Sequence, residues 1–124
     1  MKTSLLFVFF FVVVSSLAQD ESTLSKLKSV YINQVAWEAA GDLNYDQTTE
    51  EIIVKNFKIP VSESTRLSFD KKKGNKVIFA LQNNTSITDV TDPTFRRAYF
   101  EIPFKTKDGA VSFITYFNKL KEDE

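Results

Sequence analysis

Between Thr106 and the C-terminus, Ala110, Phe113, Ile114, Phe117 and Leu120 recur at spacings of three and four. That spacing places all five on one side of an α-helix about four turns long. Thr106 stands where an N-cap belongs, Asp108 falls in the first turn, and Lys119 and Lys121 fall in the last, as the helix dipole favours. A helix with one apolar stripe is stable only when the stripe is buried. Each large side chain so buried contributes roughly 1.5–3 kcal/mol, so the rest of the chain must supply a complementary surface.

Alternating segments supply it. Thr65–Asp70 sets Leu67 and Phe69 against Arg66, Ser68 and Asp70. Lys76–Gln82 sets Val77, Phe79 and Leu81 on one face, and Ala98–Lys105 does the same with Ala98, Phe100, Ile102 and Phe104. Period-two alternation marks half-buried strands. Lys71-Lys72-Lys73-Gly74-Asn75 reads as the hairpin tip joining the first two. Pro103 donates no ladder hydrogen bond and places its strand at an edge or near its end. A further hairpin is expected across residues 42–59, with Glu50–Ile59 as its β-branched-rich second arm and Pro60 ending it. Asn83–Thr94, ending in Asp92-Pro93, reads as a polar loop with at most one short strand around Ile87. Upstream, Leu24, Leu27, Tyr31 and Val35 suit an amphipathic helix opened near Ser22 and closed by Gly41. The β-branched Val30, Ile32 and Val35 also suit a strand from Ser29 to Trp37. The fold class is therefore α+β: an antiparallel sheet of four to six strands packed against a C-terminal amphipathic helix, with an N-terminal helix expected before it.

The first 18 residues have the three parts of a secretory signal. Lys2 gives a basic start, Leu5–Val14 is ten apolar residues, and Ser16 and Ala18 are small residues ahead of a cleavage site before Gln19. Ten helical residues span about 15 Å, half the roughly 30 Å of a bilayer core, so the segment reads as a removable signal and not an anchor. The expectation is an exported protein, periplasmic or extracellular, with residues 19–124 as one domain and no membrane anchor after cleavage. The chain holds 16 basic and 16 acidic residues. Lys2 is the sole charge in the signal, so the remainder carries 15 bases against 16 acids. A balance this even argues against bulk nucleic-acid binding.

The chain contains neither His nor Cys. That removes imidazole general bases, thiolate nucleophiles, zinc sites of the usual kind and disulfides. Asp42-Leu43-Asn44-Tyr45-Asp46 opens like a calcium loop, but Gln47 stands where Gly is required and Ile53 where an acid is required. Gly41, Gly74 and Gly109 are too far apart for a phosphate loop. No cofactor motif is present. Carboxylate chemistry would draw on Asp89 with Asp92, the adjacent Glu50 and Glu51, or Glu101, with nothing in the sequence to make a pair converge. Lys71, Lys72, Lys73 and Lys76, with Arg96 and Arg97, are candidates for an anion-binding patch; hairpin lysines also deter edge-to-edge pairing. Among Trp37, Tyr31, Tyr45, Tyr99 and Tyr116, Tyr99 is the candidate recognition aromatic, because it points away from the Phe100 face. Asn83-Asn84-Thr85 and Asn84-Thr85-Ser86 form overlapping glycosylation sequons if the source is eukaryotic.

Two further stretches carry a resemblance. Leu43-Asn44-Tyr45-Asp46 leads through a turn to Ile52-Ile53-Val54, and Phe104–Ala110 opens the final helix before Phe113. Over residues 42–121 this order of strands closed by a helix resembles the pleckstrin-homology-like architecture. The signal region, with Gln19 following it, is similar to that of small exported bacterial proteins. The resemblance implies a scaffold that binds peptides, lipid head groups or partner proteins, without catalysis. The expected function is a small exported, non-enzymatic binding module for a protein or small ligand. The alternatives are a carrier of an apolar or amphipathic ligand between helix and sheet, and a carboxylate-based hydrolase.

Overall fold

The computed structural model describes residues 23–122 except 71, 73 and 74. Residues 1–18, read from the sequence as a signal, lie outside the described residues. The first helix, α1, covers residues 23–34 of those described. Eight strands follow: β1 (Leu43–Asp46), β2 (Glu51–Val54), β3 (Phe57–Pro60), β4 (Thr65–Phe69), β5 (Lys76–Leu81), β6 (Ile87–Asp89), β7 (Asp92–Arg97) and β8 (Tyr99–Pro103). Helix α2 (Lys107–Glu122) closes the chain. The strands form two antiparallel sheets, one ordered β1-β2-β3-β6-β7 and the other β4-β5-β8. The class is α+β, as expected, with more and shorter strands than the four to six read from the sequence.

Two differences account for the extra strands. Glu50–Ile59 is not one arm. It breaks at Lys55-Asn56 into β2 and β3, which pair Val54 with Phe57. Lys55 takes a φ of 52° to do so, in a left-handed conformation that residues other than glycine seldom adopt. Residues 83–94 are not mainly loop. Asp89 and Asp92 face each other across the tip of a β6–β7 hairpin. The Asp89 carboxylate accepts from the Thr91 amide and hydroxyl at 2.8 and 2.6 Å, and the Asp92 carboxylate from those of Thr94 at 3.0 and 2.7 Å. Side-chain turns of this kind shape a polar segment into a hairpin without glycine. Pro93 is tolerated because β7 is the edge strand.

The N-terminal segment is helical, and the strand reading survives only as a bridge between Val35 and Phe104. Leu27 and Tyr31 are completely buried and Val35 nearly so. The Tyr31 hydroxyl donates to the Ala40 carbonyl at 3.2 Å, and burial pushes its phenol up to about 12. Gly41 follows with a φ of 68°, the conformation that lets the chain turn into β1.

Helix α2 is capped as the sequence predicts, with the Gly109 amide donating to the Thr106 hydroxyl at 3.0 Å. Ala110, Phe113, Phe117 and Leu120 are buried. Phe113 and Phe117 meet Phe79 edge-on, with centroids 6.1 and 5.8 Å apart, and Phe104 lies 5.1 Å from Phe113. Leu43, Ile52, Val54 and Ile59 of the other sheet belong to the same core. Among the described residues no helix is long and apolar enough to cross a membrane.

Candidate recognition surface

The three-stranded sheet buries one face under α2 and leaves the other uncovered. Register places Arg66, Ala80 and Tyr99 side by side across the uncovered face, and Ser68, Ile78 and Glu101 beside them. Tyr99 is 54% exposed. Its hydroxyl donates to Glu101 Oε1 at 2.8 Å. That bond, with the negative charge of Glu101, holds the phenol above its ordinary value. The second Glu101 oxygen lies 3.5 Å from Lys76 Nζ. Tyr99 and Glu101 are two residues apart on one strand and so point the same way, which makes Tyr99, Glu101 and Lys76 one polar chain along β8.

On the opposite face of β8, at the same outer margin, Phe100 joins a cluster of aromatic rings. Phe57, at the start of β3, lies 4.8 Å from Phe100 and 5.5 Å from Phe95, centroid to centroid. Trp37, from the loop after α1, lies 6.0 Å from Phe100 and 6.3 Å from Phe57. All four rings are only partly buried. Phe100 also contacts Phe79 at 6.4 Å, which anchors the cluster to the core. Two cations sit on its rings: Lys55 Nζ is 4.9 Å from the Trp37 centroid and Arg97 is 5.5 Å from that of Phe95. Residues 95–101 line an open depression of about 670 Å³ here. Tilted and edge-on ring pairs are attractive beyond their buried area, and cations over ring faces add to this. The result is a packed aromatic cluster at the margin, whose depression is also lined by the Arg97 guanidinium, the Tyr99 phenol and the Glu101 carboxylate.

The other sequence candidates fall elsewhere. Arg96 and Arg97 lie on β7 of the larger sheet, while Lys76 begins β5 and pairs with Pro103 at the far end of β8 from Tyr99. Four residues of strand separate those ends, about 13 Å, so Lys76 and the arginine pair do not converge. Lys72 is exposed near the tip; Lys71 and Lys73 lie outside the described residues. The carboxylates also disperse. Asp89 and Asp92 are committed to their turns, and hydrogen bonds from the Thr94 hydroxyl and amide hold the Asp92 carboxyl below its usual value. Asp46 accepts from the Thr48 and Thr49 amides at 2.9 and 3.4 Å, so the calcium-like stretch serves a hairpin turn. Among the described residues no group of three or more acidic side chains is placed to hold a metal ion.

Tyr99 was legible from alternation alone. Phe57, Phe95 and Phe100 were not, because their meeting depends on β3, β7 and β8 converging where the two sheets join. Asn83 and Asn84 are exposed in left-handed conformations, with φ of 57° and 62°. The chain matches no protein-family model, no curated protein and no solved structure.

Proposed function

We propose that this chain is a small exported, non-enzymatic binding module that recognises a protein partner through the β7–β8 margin. The observation that carries the reading is the open depression at this margin, lined by the exposed Tyr99, by Arg97 and by the half-buried Phe95 and Phe100 of the aromatic cluster. Exposed aromatics on a rigid base, with arginine beside them, have the composition of binding hot spots. The antiparallel strands closed by α2 support a pleckstrin-homology-like scaffold for such a surface, and the signal-like residues 1–18 support export. The space between α2 and its sheet is filled by Phe79, Phe104, Phe113 and Phe117 in contact, which favours a surface partner over an enclosed apolar ligand.

A photo-crosslinking amino acid at position 99, expressed in the native host, tests this. A discrete protein adduct is expected from position 99, absent from the equally exposed Ile32 position and lost on Arg97→Glu. Identical adducts from both positions, or none from position 99, would overturn the proposal.

A further inference from the structure

The free edge of β4 matches itself, and we infer that the chain pairs there with a second copy about a twofold axis that passes midway between the two Ser68 residues. Strand β4 has a neighbour, β5, on one side only. The Ser64 carbonyl accepts from the Gln82 amide, and the Asp70 amide donates to the Lys76 carbonyl. Even-numbered residues therefore turn their main chain toward β5, and alternation sends the amides and carbonyls of Thr65, Leu67 and Phe69 outward. Thr65 is satisfied within the chain: its amide donates to the Ser62 carbonyl at 2.9 Å and its carbonyl accepts from Lys121 Nζ at 2.7 Å. Leu67 and Phe69 are left presenting two donors and two acceptors.

Those four groups suit a second β4 running antiparallel, with Leu67 opposite the partner's Phe69 and Phe69 opposite the partner's Leu67. The side chains agree with this register. Arg66, exposed on the uncovered face, comes opposite the partner's Asp70, so two opposite-charge cross-strand pairs form about the axis. One Asp70 oxygen already accepts from the Lys72 amide at 2.9 Å, and its second oxygen is left for the partner's Arg66.

The helical layer has the same symmetry. Leu67, Ser68, Phe69, Val111, Ile114 and Thr115 line an apolar groove of about 260 Å³ between β4 and α2, and Val111 is 38% exposed. Because α2 packs over β4 and β5 and strands lie about 4.8 Å apart, the two α2 helices would run side by side about 10 Å apart, within reach of helix packing. The midpoint of α2 falls between Ile114 and Thr115, beside Ser68. The twofold axis therefore brings the exposed Lys107 toward the partner's Glu122. Each copy would cover the other's groove, giving a six-stranded sheet ordered β8-β5-β4-β4-β5-β8. That sheet carries one aromatic margin at each end, about 24 Å apart.

The absence of cysteine from the chain makes the test direct. Across the axis the two Ser68 residues form a non-hydrogen-bonded pair, with Cα atoms about 4.5 Å apart and within disulfide range. The chain should sediment as a dimer, and oxidised Ser68→Cys should crosslink far faster than Val90→Cys, a control at an exposed turn. Arg66→Glu should weaken the dimer about tenfold or more by facing the partner's Asp70. The double swap Arg66→Glu with Asp70→Arg should restore it. A monomer across the dilution series, crosslinking of Ser68→Cys no faster than the control, or a dimer indifferent to Arg66→Glu would each overturn the inference. Circular dichroism melting confirms that each variant is folded.

Discussion

Gln34, the last residue of α1, and Gly109, in the first turn of α2, approach so closely that a Cβ built at 109 would lie 2.8 Å from the Gln34 Cβ. Two further backbone bonds tie the same region together: the Lys105 amide donates to the Gln34 carbonyl at 2.6 Å and the Ala36 amide to the Pro103 carbonyl at 2.9 Å. The end of the first helix and the start of the last are thus one packed joint, although they lie far apart in sequence. Glycine in a helix ordinarily costs about 1 kcal/mol relative to alanine, so Gly109→Ala would be stabilising if space allowed. Here the obstructing atom is a Cβ fixed to backbone, and overpacking of this kind costs about 1–3 kcal/mol. Gly109→Ala is expected to lower stability in urea melts. Adding Gln34→Ala, which removes the side-chain atoms beyond Cβ, should recover part of the loss.

The cap of α2 shares that joint. The Thr106 hydroxyl accepts from the Gly109 amide and donates to Gln34 Oε1, each at 3.0 Å. Thr106→Ala leaves the Gly109 amide without its cap, for an expected loss of about 0.5–2 kcal/mol. Thr106→Ser should retain most of the stability. The loss on Thr106→Ala should shrink in a Gln34→Ala background, which a double-mutant cycle measures.

Tyr31 gives the protein an alkaline liability. Its folded phenol holds its proton to about 12 against an ordinary value of 10.0, because it is completely buried. Below pH 10 both states keep the proton and stability is unaffected. Between the two values the unfolded chain has lost it while the folded chain has not, so stability falls with rising pH by at most about 1.4 kcal/mol per unit. Above the folded value the fall stops. Tyr31→Phe removes this component and the hydroxyl's bond to Ala40. The wild-type advantage over Tyr31→Phe should therefore be largest below pH 10 and shrink as melts are taken toward 12.

Most of the buried half of the molecule is readable from periodicity, because burial repeats along an element. The Val77-Phe79-Leu81 face and the Thr106 cap come from local spacing and occur as read, and of the α2 stripe Ala110, Phe113, Phe117 and Leu120 are buried while Ile114 is only partly so. The missed pieces are those whose conformation depends on side-chain hydrogen bonding or on distant partners. Nothing in Lys55-Asn56 demands a reversal; Lys55 accepts a left-handed φ because β1 and β6 hold β2 and β3 in place on either side. The β6–β7 hairpin is written in aspartate and threonine, residues that equally suit open loop. The aromatic margin is less legible still. Trp37, Phe57, Phe95 and Phe100 come from four separate elements or loops, so no window of sequence contains the cluster.

Stability and recognition should separate cleanly in this fold. Phe113 is completely buried and contacts Phe79, Phe104 and Phe117, so Phe113→Ala removes the centre of the seam between α2 and the sheet. Such truncations cost about 3–5 kcal/mol, enough to threaten a domain of this size. Tyr99 projects into solvent from an edge strand, and its one hydrogen bond to Glu101 is exposed. Substitutions at such sites stay within about 0.5 kcal/mol. Phe113→Ala is expected to abolish or sharply lower the cooperative thermal transition, while Tyr99→Ala melts like the parent and loses capture of the partner. A large fall in stability for Tyr99→Ala would place that ring in the support of the core and take the recognition role from it.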